Sequence, residues 1–251
     1  MTPTEIKEEF LVRYNGRASN NAPALDDYEI SVFLTHAQLA LVKESMGLRN
    51  LDRASYEGSE KRRRNLSFLT KNFILNPINS FYQDATIQIA SSPSILAKLP
   101  ADLLYIVQEQ VKAQSTDECI NGKFLRVKPV THDEYFIQKD NPFKKPSKEL
   151  VWRMDVLGRT IKDGRKSVEL IHTADYSIAE YRVRYVKYPS PIILSDLTLI
   201  DPALSINGLT TPQDLDVPDD FLLEIIMRAV TVAQVQQVGD LGASIQINTL
   251  Q

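Results

Sequence analysis

The sequence predicts an α+β chain: a helical bundle formed by its N- and C-terminal helices, with a β-rich antiparallel insertion between them. Three observations carry this expectation. Apolar residues recur every three or four positions near both chain ends, the spacing of a buried helix stripe. In the middle the period falls to two, the spacing of a strand with one buried face. Capping and turn residues stand at the junctions between these stretches. The expected division is a helical core over residues 1–75 and 212–240, a β-rich insertion over 76–211, and a C-terminal arm over 241–251.

The first helix is expected to open at Thr2, with Pro3 in the first helical position and Glu5 completing a capping box. Ile6, Phe10 and Tyr14 form its stripe, and Asn15-Gly16 should end it. A second helix is expected from Asp26 to Met46. Asp26 and Asp27 lie where the helix dipole favours negative charge. Ile30, Phe33, Leu34, Ala37 and Leu41 form its expected buried face, and Gly47 its stop. A third helical segment, residues 59–70, starts polar and ends apolar at Leu66 and Leu69.

Asn76-Pro77 marks the change to β structure. Residues 85–90 alternate as a strand. Residues 103–113 fit either period, and the Tyr-Ile-Val cluster favours the strand. Asn121-Gly122 is the strongest hairpin signal in the chain, followed by a strand over 123–130. Thr131 and Glu134 open a short helix with a second capping box, which Asn141-Pro142 should end. Residues 150–156, 167–173 and 179–187 read as three strands of an antiparallel meander. In the first, Leu150, Trp152, Met154 and Val156 share a face. In the last, Tyr181, Val183 and Tyr185 do.

Helix returns after Pro218. Leu222, Ile225, Ile226, Ala229, Val232 and Ala233 form a wide stripe, so this helix is buried on more than one side. Glu224 and Arg228 are spaced for an i,i+4 pair. The end of the chain alternates again, which makes Ile245, Ile247 and Leu250 candidates for an arm that adds a strand to a neighbouring subunit.

Chemistry is harder to find. There is no phosphate-binding glycine loop, and Gly239 and Gly242 form only an isolated pair. His36, His132 and His172 are far apart and lack metal-ligand spacing. Cys119 lies in a polar stretch beside Asp117 and Glu118, which do not favour a thiolate. The acidic pairs Asp26-Asp27 and Asp219-Asp220 both begin helices, so dipole complementarity accounts for them. No catalytic, metal or cofactor site is expected. Two basic groups remain as candidate contacts to DNA or a partner: Lys61, Arg62, Arg63 and Arg64, and Lys144 with Lys145. The net charge of -3 argues against a protein that coats nucleic acid. No apolar run reaches the ~20 residues of a membrane span.

Several segments in order resemble known proteins. Leu99-Pro-Ala-Asp-Leu-Leu-Tyr-Ile-Val, Lys128-Pro-Val-Thr-His-Asp-Glu-Tyr and Asn141-Pro-Phe are similar to segments of head-to-tail adaptor proteins of crAss-like short-tailed phages, and Val217-Pro-Asp-Asp-Phe with its apolar helix resembles the ending of many phage connector and capsid-associated proteins. The resemblance covers most of residues 1–240. It implies a virion ring of about twelve copies, closed head-to-tail. That ring would contact the portal protein and other tail ring or tail-hub proteins, with DNA passing through its lumen without sequence specificity. It implies no catalytic residues. A tail-tube or capsid-associated protein would share the composition. A nuclease or cell-wall hydrolase would need clustered carboxylates or metal ligands outside helix caps.

Overall fold

Reciprocal hydrogen bonds at Thr2 start the chain. Its Oγ1 accepts the Glu5 N–H at 3.3 Å, and the Glu5 carboxylate accepts the Thr2 N–H at 2.8 Å. The structure is a computed structural model that describes residues 1–17, 24–46, 60–76, 81–82, 88–90, 93–156, 166–213, 215 and 217–238. The expected stop at Gly47 and the arm residues Ile245, Ile247 and Leu250 lie outside the described residues. The chain divides into two compact units, residues 1–69 with 188–251, and residues 70–187.

The first unit holds α1 (Pro3–Arg17), α2 (Asp27–Ser45) and α3 (Glu60–Ser67) from the start of the chain. From its end comes α5 (Asp219–Val238). Ile6, Phe10 and Tyr14 are buried, and the rings of Phe10 and Tyr14 stack with centroids 5.9 Å apart. The helix runs through the expected stop at Asn15-Gly16, because Gly16 does not use its left-handed option. Asp26 caps α2 in a complete box with Glu29. On α5, Phe221, Leu222, Ile225, Ile226, Ala229 and Ala233 are buried, and this helix packs on both α1 and α2.

The buried face of α2 is wider than its apolar stripe. It includes Ser31, Thr35 and Gln38, while Phe33 and Leu41 are only half-buried. An extended stretch of chain explains the polar positions. Thr35 Oγ1 accepts the Ile192 N–H and Ser31 Oγ the Leu194 N–H, each at 3.1 Å. A buried amide needs a partner, and two α2 hydroxyls supply them. Ile193, Leu197 and Ile206 form a small core nearby, with Tyr28 and Val32 of α2 against it.

The second unit is one sheet. Its strands are β1 (Thr70–Leu75), β2 (Phe81–Tyr82), β3 (Ser94–Lys98) and β4 (Leu103–Gln114). They continue with β5 (Phe124–Pro129), β6 (Leu150–Asp155), β7 (Ser167–Ile171) and β8 (Ser177–Lys187). Among the described residues these make an eight-stranded sheet in the order β1-β8-β4-β5-β6-β7-β3-β2. One short helix, α4 (His132–Gln138), bridges β5 and β6, and Thr131 and Glu134 cap it in a complete box. It closes at Lys139, before the expected Asn141-Pro142 stop.

These findings correct the expected architecture. The protein is a mixed fold built around one large curled sheet with few helices, rather than a helical bundle carrying an antiparallel insertion. Apolar spacing reports that a helix is buried, not what buries it, and part of α2 is covered by extended chain. The sheet is also not wholly antiparallel, since β5 and β6 run parallel from Arg126↔Leu150 to Pro129↔Arg153. Nor do the last three strands form a meander. β6 and β7 pair, but β8 leaves them and inserts between β1 and β4. The described end of the expected 85–90 strand, Gln88–Ala90, is not in a strand.

Strand β4 is irregular where it pairs with β8. Its register shifts at three places, between Leu103 and Tyr105, Ile106 and Gln108, and Lys112 and Ala113. Bulges bend a strand and raise its local twist, which suits a curled sheet. That core gathers Val111, Leu125, Val151, Leu170, Tyr181 and Val183 on one face. A second cluster lies on the other face, where Trp152, Met154 and Ile171 pack with Tyr135 of α4. The β4–β5 hairpin forms, and Gly122 takes the left-handed conformation with φ 76°. Its loop is longer than the two residues of a tight turn, because pairing resumes only at Lys112↔Phe124.

Candidate functional site

The basic run lies on α3, where acidic residues meet it. Lys61 pairs with Glu224 of α5, Arg63 with Glu60 at 2.5 Å, and Arg64 with Asp220 at 3.1 Å. The N-terminal amine pairs with Asp219 at 2.9 Å. Asp219 and Asp220 therefore serve twice, at the positive end of the α5 dipole and as partners for cations. Glu224 faces Lys61 in place of the expected Arg228. These groups lie at the surface in contact with solvent, so each pair is worth little to stability. Their effect is on the surface field: the cations at Lys61, Arg63 and Arg64 are balanced in place.

The second basic group is different. Lys144 and Lys145 are exposed in the turn after α4, and among the described residues no ion pair joins either of them. Apolar side chains surround them in sequence. Phe143 is 96% exposed, Ile137 79% and Phe136 57%. Lys139 lies over the Phe136 ring at 5.7 Å. Asn141 shapes the turn, its Oδ1 accepting the Phe143 N–H at 3.0 Å and its carbonyl accepting the Lys145 N–H at 3.0 Å. Beside it is a small cleft of about 170 Å³, lined by Lys139, Lys145, Tyr135, Trp152 and His172. Burial pushes His172 below the ordinary histidine value, so it is neutral near pH 7.

A third feature lies in the first unit. The short 3-10 turn Leu197–Leu199 is capped by Asp196, whose Oδ1 accepts the Thr198 N–H at 3.0 Å. The turn buries Leu197 but leaves Leu199 85% and Ile200 51% exposed. Asp201 follows, fixed by the Ala203 N–H at 2.9 Å. From Tyr188 to Met227 the sequence contains no lysine, arginine or histidine. Sequence reading missed this surface because an isolated apolar pair carries no period. The absence of cations over so long a stretch was the available signal.

A largely buried ion pair forms a structural cluster. Arg153 of β6 donates to Glu109 Oε1 of β4 at 2.6 Å, and Tyr181 of β8 donates to Glu109 Oε2 at 2.7 Å. Burial raises the Glu109 pKa above the ordinary carboxylate range, with Arg153 and the Tyr181 hydroxyl pulling the other way. The cluster ties three strands together. Among the described residues no group of His, Cys, Asp and Glu could hold a metal ion. His36, His132 and His172 are not brought together, and Cys119 is exposed on the β4–β5 loop. No described helix is long and apolar enough to cross a membrane.

A sheet-based unit, a helical unit joined from both chain ends and exposed apolar side chains are features of a protein that meets other molecules through its surface. The chain belongs to a family of phage structural proteins, the phage tail ring protein 3/4 family, whose model matches residues 1–243. Two proteins of Bacteroides phage crAss001 are similar to it. Ring protein 4/5 is 32% identical over 98% of each chain. Ring protein 3 is 31% identical over 93% of this chain and 95% of its own. The chain is thus a virion structural protein of the ring type.

Proposed function

We propose that this protein is one subunit of a ring at the portal vertex that joins the portal to the tail and lines the channel through which DNA leaves. The family match across residues 1–243 carries the reading. The ring has about twelve copies, each contacting the next through two different surfaces, as closure by rotation requires. Its neighbours are the portal protein and other tail ring or tail-hub proteins. Assembly takes place in the host cytoplasm. The electrostatics support a channel that lets DNA slide. The net charge is -3, and acids balance the cations at Lys61, Arg63 and Arg64. Bare clusters of cations would hold phosphate and slow passage.

Light scattering of the purified protein, alone and with the portal protein, tests this reading. The expected result is a closed ring of about twelve copies, formed alone or on the portal. A monomer that ignores the portal would sink it and favour a tail-tube or capsid-associated role.

A further inference from the structure

We infer that the two exposed apolar surfaces, one basic and one acidic, are the two halves of the contact between neighbouring copies of this chain. The basic half is Phe136, Ile137 and Phe143 with Lys139, Lys144 and Lys145. The acidic half is Leu199 and Ile200 with Asp196 and Asp201. This inference rests on the ring reading above.

Three observations carry it. Large apolar side chains this exposed are costly on a free surface and mark places where another molecule sits. Phe143 at 96% and Leu199 at 85% are the extremes among the large hydrophobics of the described residues. The charges around them are opposite. Residues 139–148 carry Lys139, Lys144, Lys145 and Lys148 against Asp140 alone, while the acidic half lies in a stretch without cations. Finally, a closed ring is built from unlike surfaces that recur on every copy, so each subunit must carry both. A basic apolar surface on one unit and an acidic apolar surface on the other meet that requirement within one chain.

The pairing also has a selective consequence. Two basic halves, or two acidic halves, repel each other. That disfavours symmetric back-to-back dimers, which would remove subunits from ring assembly.

The test uses the full chain and two variants, Phe143→Asp and Leu199→Asp. Both positions are almost fully exposed, so neither substitution removes core packing; circular dichroism and thermal melting check this. Each variant alone is expected to stay monomeric under conditions where the wild type forms rings, alone or on the portal. Mixed in equal amounts, the two should form dimers and stop there, because such a pair keeps one intact contact and has two damaged ends. Rings formed by either variant alone would overturn the inference and leave the ring reading standing. Failure of the mixture to dimerise would overturn the pairing and assign these surfaces to other proteins of the particle. A wild type that never forms rings would overturn the ring reading itself.

Discussion

Tyr181 Oη donates a 2.7 Å hydrogen bond to Glu109 Oε2, joining β8 to β4 next to the Arg153 guanidinium. Burial dominates at Glu109, so its pKa is raised in the folded state. A carboxyl raised in this way holds its proton more firmly when folded than when unfolded. Its contribution to stability is complete below the unfolded pKa and is lost as pH rises through the folded value. The melting temperature of the wild type should therefore fall relative to Glu109→Gln as pH rises from about 4 to about 7. Parallel curves would mean that Glu109 ionises in the fold as freely as it does in water.

Replacing Arg153 leaves that carboxylate buried without its cation. The Arg153 and Glu109 side chains are only 12% and 8% exposed. Arg153→Leu should cost about 3–5 kcal/mol near pH 7, as expected for one partner of a buried pair. The cost should shrink in mild acid, where Glu109 takes up its proton. Urea unfolding at two pH values measures both.

Ser31 and Thr35 test the chain crossing on α2. Each hydroxyl is the acceptor for one buried amide, of Leu194 and Ile192. Ser31→Ala and Thr35→Val should each destabilise by about 1–3 kcal/mol, the cost of an unsatisfied buried group. Hydrogen exchange should quicken at the Leu194 and Ile192 amides more than at those within α5.

The acids facing α3 should mask its cations. Asp220→Asn with Glu224→Gln removes the partners of Arg64 and Lys61. Affinity for duplex DNA, read by fluorescence anisotropy, should rise in the variant, and its dependence on salt should steepen by about two phosphate contacts. Equal binding by wild type and variant would show that the pairs do not govern the surface field. Stability should change by less than about 1 kcal/mol, because the pairs are exposed.

Local signals were legible in the sequence. The capping boxes expected at Thr2 and Thr131 form, because each depends only on residues three positions apart, and Asp26, expected only to suit the helix dipole, closes a third box with Glu29. The strand at 103–113 and the face shared by Tyr181, Val183 and Tyr185 are also found. Long-range choices were not legible. Nothing near β8 in sequence says that it pairs with β1 and β4 instead of β7. Trp152 shares its face with Leu150 and Met154, as expected. It stands one residue from Val151, and the two enter different clusters on opposite faces of β6. With both faces apolar, alternation cannot tell which one meets the main core. At the candidate surfaces, Lys144 and Lys145 were legible as charges. Their exposed neighbours Ile137 and Phe143 were not, because burial is a property of the folded chain.

The crossing on α2 also sets an order of events during synthesis. Ser31 must wait for Leu194, and α1 and α2 for α5, while the sheet of residues 70–187 can close as soon as its own strands are made. Domains generally fold as they emerge from the ribosome. A chain cut short before residue 194 could complete its sheet but not the helical unit. Such a fragment would also lack the exposed Leu199 and Ile200 side chains. Because residues 70–187 interrupt the sequence of the first unit, completion of that unit waits for the last part of the chain.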